Sequence, residues 1–420
     1  VKAIFDEMQA ASPKNHFTIG IQDDVTHTSL DYDPDIMIEP DTVTRAVFWG
    51  LGSDGSVGAN KNSIKIIANN TANHVHGYFV YDSKKSGART ISHLRFGPDP
   101  IESTYLIQSA NFVAVHQFSF LQRYDPLAVA AHGATFLLNS PHGAATVWDH
   151  LPKRTQQQIL TQHLKLYVID AYRLAKEHHL GMRINTIMQA CFFSLCPVME
   201  KGRAMGAIKE AITETYGKRG VTIVRANIAA VEAALEHLQE VSLDTRLLSG
   251  QTIPELIPSS APEFVRKVTG PLIAGDGNAL PVSVFPPDGT YPSSTTRWEK
   301  RSIAHEIPVW EPDLCIQCGK CVLVCPHAVI RAKINEPAEL TAAPNGFKQT
   351  SARWRDLPEK RFTIQVAPED CTGCQLCVEV CPAKDKSRSG RKALNMAPKV
   401  DLLAEQKRHW DFFLTLPDIK

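Results

Sequence analysis

The sequence contains no uninterrupted apolar run of about 18 residues, so it predicts no membrane-spanning helix. It also lacks an excess of either charge, because Lys and Arg total 45, Asp and Glu total 44, and the formal net charge is +1. Nucleic-acid and membrane surfaces usually require a basic excess, so we expect neither partner. An initiator Met and a signal-peptide pattern are missing too. These absences favour a cytoplasmic segment of a longer protein.

Length and patterning predict several domains. A chain of 420 residues exceeds one ordinary core, so we expect about two to four domains. Residues 25–240 alternate short apolar runs with helical stretches, as in a mostly parallel α/β domain whose sheet is covered on both faces. Residues 1–24 are interpreted as the end of a preceding domain or a linker, with a strand at His16–Gln22.

The α/β domain is predicted in detail from its apolar periodicity. The predicted strands are Arg45–Leu51, Gly77–Tyr81, Thr90–Phe96, Phe112–His116, Ala134–Asn139 and Leu164–Ile169. The predicted helices are Ala59–Ala68, Ile101–Ser109, Ala171–His178, Ile184–Leu195, Lys201–Tyr216 and Ile228–Val241.

The rest of the chain changes character twice. Eight prolines fall between residues 254 and 292, and proline breaks helices and removes ladder donors. Residues 241–300 are therefore predicted to form a small irregular linker domain. Residues 301–400 contain a cysteine-rich domain, and residues 401–420 form an amphipathic C-terminal tail.

Eight of the ten cysteines lie between residues 315 and 381. They form two copies of the pattern Cys-x2-Cys-x2-Cys-x3-Cys-Pro, which is typical of a bacterial 2[4Fe–4S] ferredoxin-like α+β domain. In this pattern the fourth cysteine ligates the other cluster. We therefore predict one cluster on Cys315, Cys318, Cys321 and Cys381, and a second on Cys371, Cys374, Cys377 and Cys325.

Other uses of these cysteines fit the spacing less well. Structural zinc needs paired Cys-x2-Cys knuckles and would not repeat a third and a fourth cysteine followed by proline. Disulfide scaffolds belong to small secreted chains. The remaining two cysteines, Cys191 and Cys196, lie on a predicted buried helix, where an inert thiol is expected.

A glycine-rich loop follows the first predicted strand. Gly50, Gly52 and Gly55 match the pattern G-x-G-x-x-G, and a helical stretch follows. Such a loop presents N–H groups and a helix N-terminus to a phosphate, and Lys61 and Lys65 would add positive charge. The loop lacks the Walker Gly-Lys-Ser/Thr, and no acid stands at the distance that a dinucleotide site requires. A phosphate site and a simple tight turn therefore both remain open.

Several longer stretches resemble one family, pyruvate:ferredoxin (flavodoxin) oxidoreductase, in collinear order over essentially the whole chain. These stretches are Gly50–Ile67, Tyr81–Gly87, Ser92–Gly97, Thr135–Pro141 and Trp310–Cys321. The resemblance implies that the complete enzyme converts pyruvate and coenzyme A to acetyl-CoA and CO2. It further implies thiamine diphosphate, Mg2+ and three [4Fe–4S] clusters as cofactors, ferredoxin or flavodoxin as electron acceptor, and a homodimer.

The resemblance assigns this chain to the central segment of the enzyme. Residues 25–240 correspond to the third domain, residues 241–300 to the linking domain, and residues 301–400 to the ferredoxin-like domain with the medial and distal clusters. The thiamine site, its Mg2+ and the third cluster are implied to lie in domains outside this chain, toward which residues 401–420 lead. No catalytic residue is therefore expected in this segment.

The family's third domain is associated with coenzyme A, so the glycine-rich loop becomes a candidate for the phosphate end of that cofactor. The candidate residues are Gly52, Ser53, Asp54, Gly55, Asn60 and Lys61.

Two other interpretations remain open from the sequence. The chain could be a self-standing electron-transfer protein in which a ferredoxin-like domain is fused to a ligand-binding module. It could also belong to a related enzyme that acts on another 2-oxo acid, since the pocket for the oxo acid is not expected in this segment.

Overall fold

The computed structural model describes residues 1–34, 36–52, 54–82, 87–243, 246–248, 252–253 and 255–418. The chain divides into two compact units, residues 1–299 and residues 300–420. In the part of the chain that is described, no helix is long and apolar enough to cross a membrane.

The described residues of the first unit form a seven-stranded sheet in the order β2-β3-β1-β4-β5-β6-β7. Its strands are β1 Thr44–Leu51, β2 His74–Tyr81, β3 Arg89–Gly97, β4 Ala110–Val115, β5 Ala130–Asn139, β6 Lys165–Ile169 and β7 Gln239–Glu240. The four central strands β1, β4, β5 and β6 run parallel, and the outer strands pair antiparallel. The predicted α/β class is confirmed, with antiparallel margins on the sheet.

The antiparallel margin follows from the length of the chain between β2 and β3. Only residues 82–88 connect these two strands, whereas a parallel crossover needs about a dozen residues or more. All six predicted strands of this sheet are present within a few residues of their expected bounds. The strand predicted at His16–Gln22 is wrong, because that stretch makes only isolated bridges, between Ile19 and Leu30 and between Gln22 and Pro281.

The described residues of the first unit also form helices. They are α1 Lys2–Met8, α2 Ser56–Asn70, α3 Val147–His150, α4 Lys153–Thr161, α5 Ala171–Glu177, α6 Asn185–Leu195, α7 Lys201–Tyr216, α8 Val221–His237 and, in the proline-rich region, α9 Gly270–Ala274. Shorter helical turns occur at Phe118–Gln122, Pro126–Val129, Gly217–Arg219, Val265–Thr269, Gly277–Ala279, Val282–Val284 and Thr295–Trp298. The helix α4 was not predicted, because its sequence is mostly polar.

Aromatic rings form the centre of the core between the sheet and α6. The Phe192 ring lies 5.2 Å from the rings of Phe48 and Phe112 and 6.2 Å from that of Phe96. These partners come from β1, β4 and β3, so one side chain of α6 joins three strands. The geometry is edge-on or tilted, which aromatic pairs prefer over a face-to-face stack.

The helix predicted at Ile101–Ser109 is absent from the structure. The stretch is irregular because it packs across β3. The N–H of Ile107 donates to Nδ1 of His93 at 3.2 Å, and the Tyr105 ring lies 5.1 Å from the guanidinium carbon of Arg95. These tertiary contacts outweigh the weak local preference for a helix.

The second unit contains smaller sheets and short helices. Its strands are β8 Glu306–Trp310, β9 Ile330–Asn335, β10 Thr350–Ser351, β11 Arg361–Val366 and β12 Leu394–Pro398. Its helices are α10 Lys320–Val324, α11 Leu376–Glu379 and α12 Lys399–Thr415, with a helical turn at Pro337–Leu340. One sheet has the order β10-β11-β9 and the other pairs β12 with β8. The residues predicted as a tail mostly form α12, which packs on β11 through Leu402 and Trp410.

The two loops that contain the cysteine motifs each have positive φ at the residue before and the residue after the second cysteine. One of these residues is glutamine and the other is glycine, and their order is reversed between the loops. The residue before the second cysteine is Gln317 in the first loop and Gly373 in the second, with φ of 57° and 71°. The residue after that cysteine is Gly319 in the first loop and Gln375 in the second, with φ of 70° and 64°. Each loop therefore places one glutamine in the left-handed region, which costs a residue with a side chain about 1 kcal/mol or more.

The surroundings of these two glutamines differ. Gln317 is buried, its Nε2 donates to the carbonyl of Ser351 at 2.8 Å, and its Oε1 accepts from the N–H of Arg353 at 2.9 Å. Gln375 is exposed. Only the first side chain therefore compensates its backbone strain by fixed hydrogen bonds.

Replacing Gln375 by Gly should raise the free energy of unfolding by about 1 kcal/mol, because glycine adopts positive φ without a Cβ clash. The matched change Gln317→Gly should lower it, because two anchoring hydrogen bonds are lost along with the strain. Urea titration of both variants measures the difference, and effects of the same sign and size would contradict this explanation.

The buried His93 makes the stability of the first unit depend on pH. Burial, followed by the charge of Arg95, lowers the pKa of His93 to about 4. Because the folded pKa is below the unfolded value of about 6.5, the stabilisation is present above pH 6.5 and is lost as pH falls toward 4. At 1.36 kcal/mol per pKa unit, the loss between pH 7 and pH 5 should be about 2 kcal/mol.

The variant His93→Gln should make the free energy of unfolding less dependent on pH between 7 and 5. Glutamine can still accept from Ile107 but does not titrate. His237→Gln, at an exposed position of the same unit, serves as the control. Equal pH dependence in the two variants would exclude His93 as the source.

Candidate metal centre

The first four-cysteine cavity draws on both motifs. Cys315, Cys318 and Cys321 line it together with Cys381, the last cysteine of the second motif. Trp310, Ile364 and Leu394 are among the apolar residues that complete its wall. These are the four cysteines that the sequence grouped as one cluster site.

The second four-cysteine cavity is arranged in the same way with the motifs exchanged. Cys371, Cys374 and Cys377 line it together with Cys325 from the first motif. Counting the space that is open to solvent, the first cavity encloses about 340 Å3 and the second about 350 Å3, so the two are of nearly equal size. All eight cysteines therefore face one or the other cavity, in two sets of three plus one.

Two short helices bring the fourth cysteine of each motif to the cavity of the other motif. The helix α10 contains Cys321 and ends at Cys325, and α11 contains Cys377 and ends shortly before Cys381. The two helices pack against each other. One turn of helix after the third cysteine therefore carries the chain away from its own cavity to the neighbouring one.

The cavities suit a cluster better than a single ion. Within the described residues, no three His, Cys, Asp or Glu side chains converge closely enough to bind one metal ion. A zinc ion would need four ligand atoms about 2.0–2.3 Å from one point. Eight thiols, four around each of two cavities, instead match the donor set of two [4Fe–4S] clusters.

Backbone N–H groups point at the sulfur atoms in both loops. The N–H of Gln317 donates to Sγ of Cys315 at 3.3 Å, and the N–H of Gly373 donates to Sγ of Cys371 at 3.4 Å. Both donors belong to residues with positive φ. The positive φ of this residue therefore aims a donor at the first sulfur of each loop, and hydrogen bonds to sulfur stabilise its negative charge.

Burial makes three of these eight thiols harder to ionise. It raises the pKa of Cys321 and Cys371 to about 11 and that of Cys377 to about 12, and neighbouring cysteines add to the effect. Cys318 and Cys374 are exposed. Each cavity thus has one ligand position at the surface, and metal binding must displace protons from the buried thiols.

The two cysteines outside the motifs are isolated in the first unit. Cys191 and Cys196 are buried, and burial raises the pKa of each thiol to about 12. A protonated, inaccessible thiol is a poor nucleophile and a poor redox group. They pack as small apolar side chains in the core around α6.

The glycine-rich loop is held by its own aspartate. The carboxylate of Asp54 accepts from the N–H groups of Leu51 at 2.9 Å and Ser56 at 2.7 Å. At Gly55, φ is 83°, and a Cβ there would lie 2.9 Å from Cγ of Asn185. Asp54 and Gly55 therefore shape the turn into α2. Because Asp54 already lies at the positive end of the helix, it opposes a second anion there.

The other residues predicted for a phosphate site differ in whether their polar groups already have a partner within the protein. The N–H of Gly52 donates to the carbonyl of Ala88 at 2.8 Å, and Ser53 lies outside the described residues. Lys61 is exposed, with Nζ 5.2 Å from the centre of the Phe79 ring. Asn60 is buried, and its Nδ2 has no hydrogen-bond partner in the described part of the chain.

One lysine beside the cavities was missed by the sequence analysis. Nζ of Lys392 donates to the carbonyls of Val378 at 2.7 Å and Glu379 at 3.1 Å, at the end of α11. A cation at a helix C-terminus satisfies open carbonyls. Here it fixes the segment between Cys377 and Cys381. The contact spans 13 residues of sequence, so no local pattern could reveal it.

Three family profiles match successive parts of the chain. Residues 45–237 match the family described as pyruvate ferredoxin/flavodoxin oxidoreductase, and residues 314–384 match the 4Fe-4S dicluster domain. Residues 250–304 match a domain family of unknown function.

Full-length relatives align over the entire chain. A pyruvate-flavodoxin oxidoreductase of Nostoc sp. is 57% identical, and a putative pyruvate-flavodoxin oxidoreductase of Synechocystis sp. is 54% identical. A pyruvate:ferredoxin oxidoreductase of Moorella thermoacetica is 47% identical. In each case the alignment covers 100% of this chain and 35% of the relative. Over its whole length the chain is therefore similar to a segment of pyruvate:ferredoxin (flavodoxin) oxidoreductases, and it spans about 35% of the length of these relatives.

Proposed function

We propose that residues 300–420 bind two [4Fe–4S] clusters and relay electrons between them, as part of an enzyme that oxidises pyruvate. The observation that carries this proposal is the lining of two cavities of nearly equal size by three cysteines of one motif and one of the other. With one cluster in each cavity, both clusters would lie within one small α+β unit, which suits electron transfer between them. Each cluster, when bound, supplies a one-electron redox centre.

The side chains of this unit have separate roles in the proposal. Cys315, Cys318, Cys321 and Cys381 hold one cluster, and Cys371, Cys374, Cys377 and Cys325 hold the other. The N–H groups of Gln317 and Gly373 stabilise the negative charge on sulfur. Apolar wall residues exclude water, and the exposed positions of Cys318 and Cys374 leave each site one edge from which an electron can leave.

The substrate and acceptor are proposed from the relatives. Their names specify pyruvate together with flavodoxin or ferredoxin. We propose the same reaction for the complete protein, with coenzyme A as second substrate. Thiamine diphosphate, Mg2+ and a third cluster would be bound by other domains of the complete protein, and the electrons would pass through this segment to ferredoxin or flavodoxin.

We place the phosphate end of coenzyme A near the side of α2 that contains Asn60 and Lys61. The exposed ammonium of Lys61 and the buried amide of Asn60 support this position. The carboxylate of Asp54 argues against a phosphate directly at the helix N-terminus. The positive charge for the ligand would therefore come from a side chain and not from the helix end alone.

Exchange of ligands between motifs can be tested with single cysteine variants. Cys381→Ala and Cys318→Ala should abolish the same EPR signal, although they lie in different motifs. Cys325→Ala and Cys374→Ala should both abolish the other signal. The wild-type chain, reconstituted anaerobically, should contain about eight iron atoms because each cluster has four. Loss of the same signal in Cys381→Ala and Cys374→Ala would contradict the crossed assignment, and about four irons in the wild type would contradict two clusters.

The coenzyme A position can be tested in the complete enzyme. Lys61→Gln should raise KM for coenzyme A several-fold with little change in kcat, because it removes a charge that binds phosphate without touching the reacting atoms. Lys153→Gln removes another exposed lysine of the same unit, on α4, and is the matched control. An unchanged KM for coenzyme A in Lys61→Gln would exclude this position.

A further inference from the structure

A lysine is buried beside the second four-cysteine cavity. Lys399, the first residue of α12, is 8% exposed. Its backbone N–H donates to the carbonyl of His305 at 2.9 Å. Its Nζ donates to the carbonyl of Ser302 at 2.5 Å and to Oγ of the same serine at 3.0 Å. Lysines are rarely buried to this extent, because removing the ammonium from water is costly.

The segment that holds this ammonium packs directly over the second cysteine loop. A Cβ on Gly373 would lie 3.3 Å from the carbonyl oxygen of Glu306 and 3.5 Å from Cβ of Ala304. The N–H of Ser302 donates to the carbonyl of Glu369 at 2.8 Å, two residues before Cys371. The positive charge is therefore fixed against the part of the chain that leads into the loop.

Two hydrogen bonds in succession connect the ammonium of Lys399 to the start of that loop. Nζ of Lys399 donates to the carbonyl of Ser302, and the N–H of Ser302 donates to the carbonyl of Glu369, which precedes Cys371 by two residues. Burial and the same ammonium lower the pKa of His305 to about 4, so this histidine is neutral near pH 7. A neighbouring imidazole therefore adds no second positive charge at that pH.

Acidic residues next to the loop have partners of their own. Asp370 lies 2.6 Å from Nζ of Lys300, and Glu369 lies 3.0 Å from Nζ of Lys407. The N-terminus of α12 also lies close by, since Met396 lines the cavity and the helix begins three residues later. A helix N-terminus carries partial positive charge. The ammonium and the helix end therefore act in the same direction on the cavity.

We propose that Lys399 raises the reduction potential of the cluster held by Cys371, Cys374, Cys377 and Cys325. This proposal rests on the proposed binding of two clusters. When the site gains one electron from a reductant, its net charge becomes one unit more negative. A fixed positive charge in a poorly solvated environment stabilises that reduced form more than the oxidised form.

The test is an EPR-monitored redox titration of the complete chain with both clusters bound. Lys399→Gln should shift the potential of one cluster to a more negative value, and the other potential should move less. The Cys318→Ala and Cys374→Ala variants identify which signal belongs to which cluster. Arg408→Gln removes a positive charge from an exposed position on the same helix and should leave both potentials nearly unchanged, since water and salt screen exposed charges.

Three further results distinguish charge from structure. Lys399→Arg should keep a potential close to that of the wild type, whereas a shift as large as in Lys399→Gln would show that charge is not the cause. Unchanged potentials in Lys399→Gln with about eight irons bound would overturn this inference alone. A wild-type chain that binds no cluster would overturn the proposed function itself.

A second variant covers the case in which Lys399→Gln binds too little iron to titrate. Ser302→Asp leaves Lys399 in place and puts a carboxylate beside its ammonium. This substitution should also shift the potential of the same cluster to a more negative value. An unchanged or more positive potential in Ser302→Asp would then contradict the proposal.

Discussion

The second unit depends on one constraint, namely that the fourth cysteine of each motif reaches the cavity of the other motif. Neither set of four sulfurs can form from one motif alone, so α10 and α11 must pack before either site is complete. Metal binding and folding are coupled wherever the ligands come together only in the folded chain. In this unit each site takes a ligand from both motifs, so a substitution that distorts one loop is expected to weaken metal binding at both sites.

The same constraint explains the backbone of the two loops. A donor N–H must point at the first sulfur while three cysteines converge, and both loops achieve this with two residues of positive φ. Glycine is needed at only one of the two positions in each loop. The first loop tolerates Gln317 because its side chain forms hydrogen bonds with Ser351 of β10 and with Arg353. Backbone strain is thus permitted where it serves ligand orientation.

A feature of this protein could be predicted from its sequence where the interacting residues are close together in the chain, and could not where they are far apart. Cysteine spacing is local, so all eight positions and their grouping could be predicted as a hypothesis from the sequence. The buried strands were also predictable, because β-branched and aromatic runs have few other uses. The irregular conformation of residues 101–109 could not be predicted, because it depends on contacts with His93 and Arg95 of β3. Lys392 and Lys399 escaped notice for the same reason, as lysines in a polar sequence carry no signal of burial.

The two cavities have the same cysteine pattern but different surroundings. Hydrogen bonds, burial and nearby charge tune the potential of an iron–sulfur cluster, so different surroundings favour different potentials. Near the first loop, the amide of Gln317 fixes the chain to Ser351 and Arg353 without a charged side chain in those bonds. Near the second loop, Ala304 and Glu306 cover Gly373, and Ser302 holds a buried ammonium. In the proposed relay, the two sets of cysteines determine where the electrons would reside, and the residues packed against each loop would influence which site holds them.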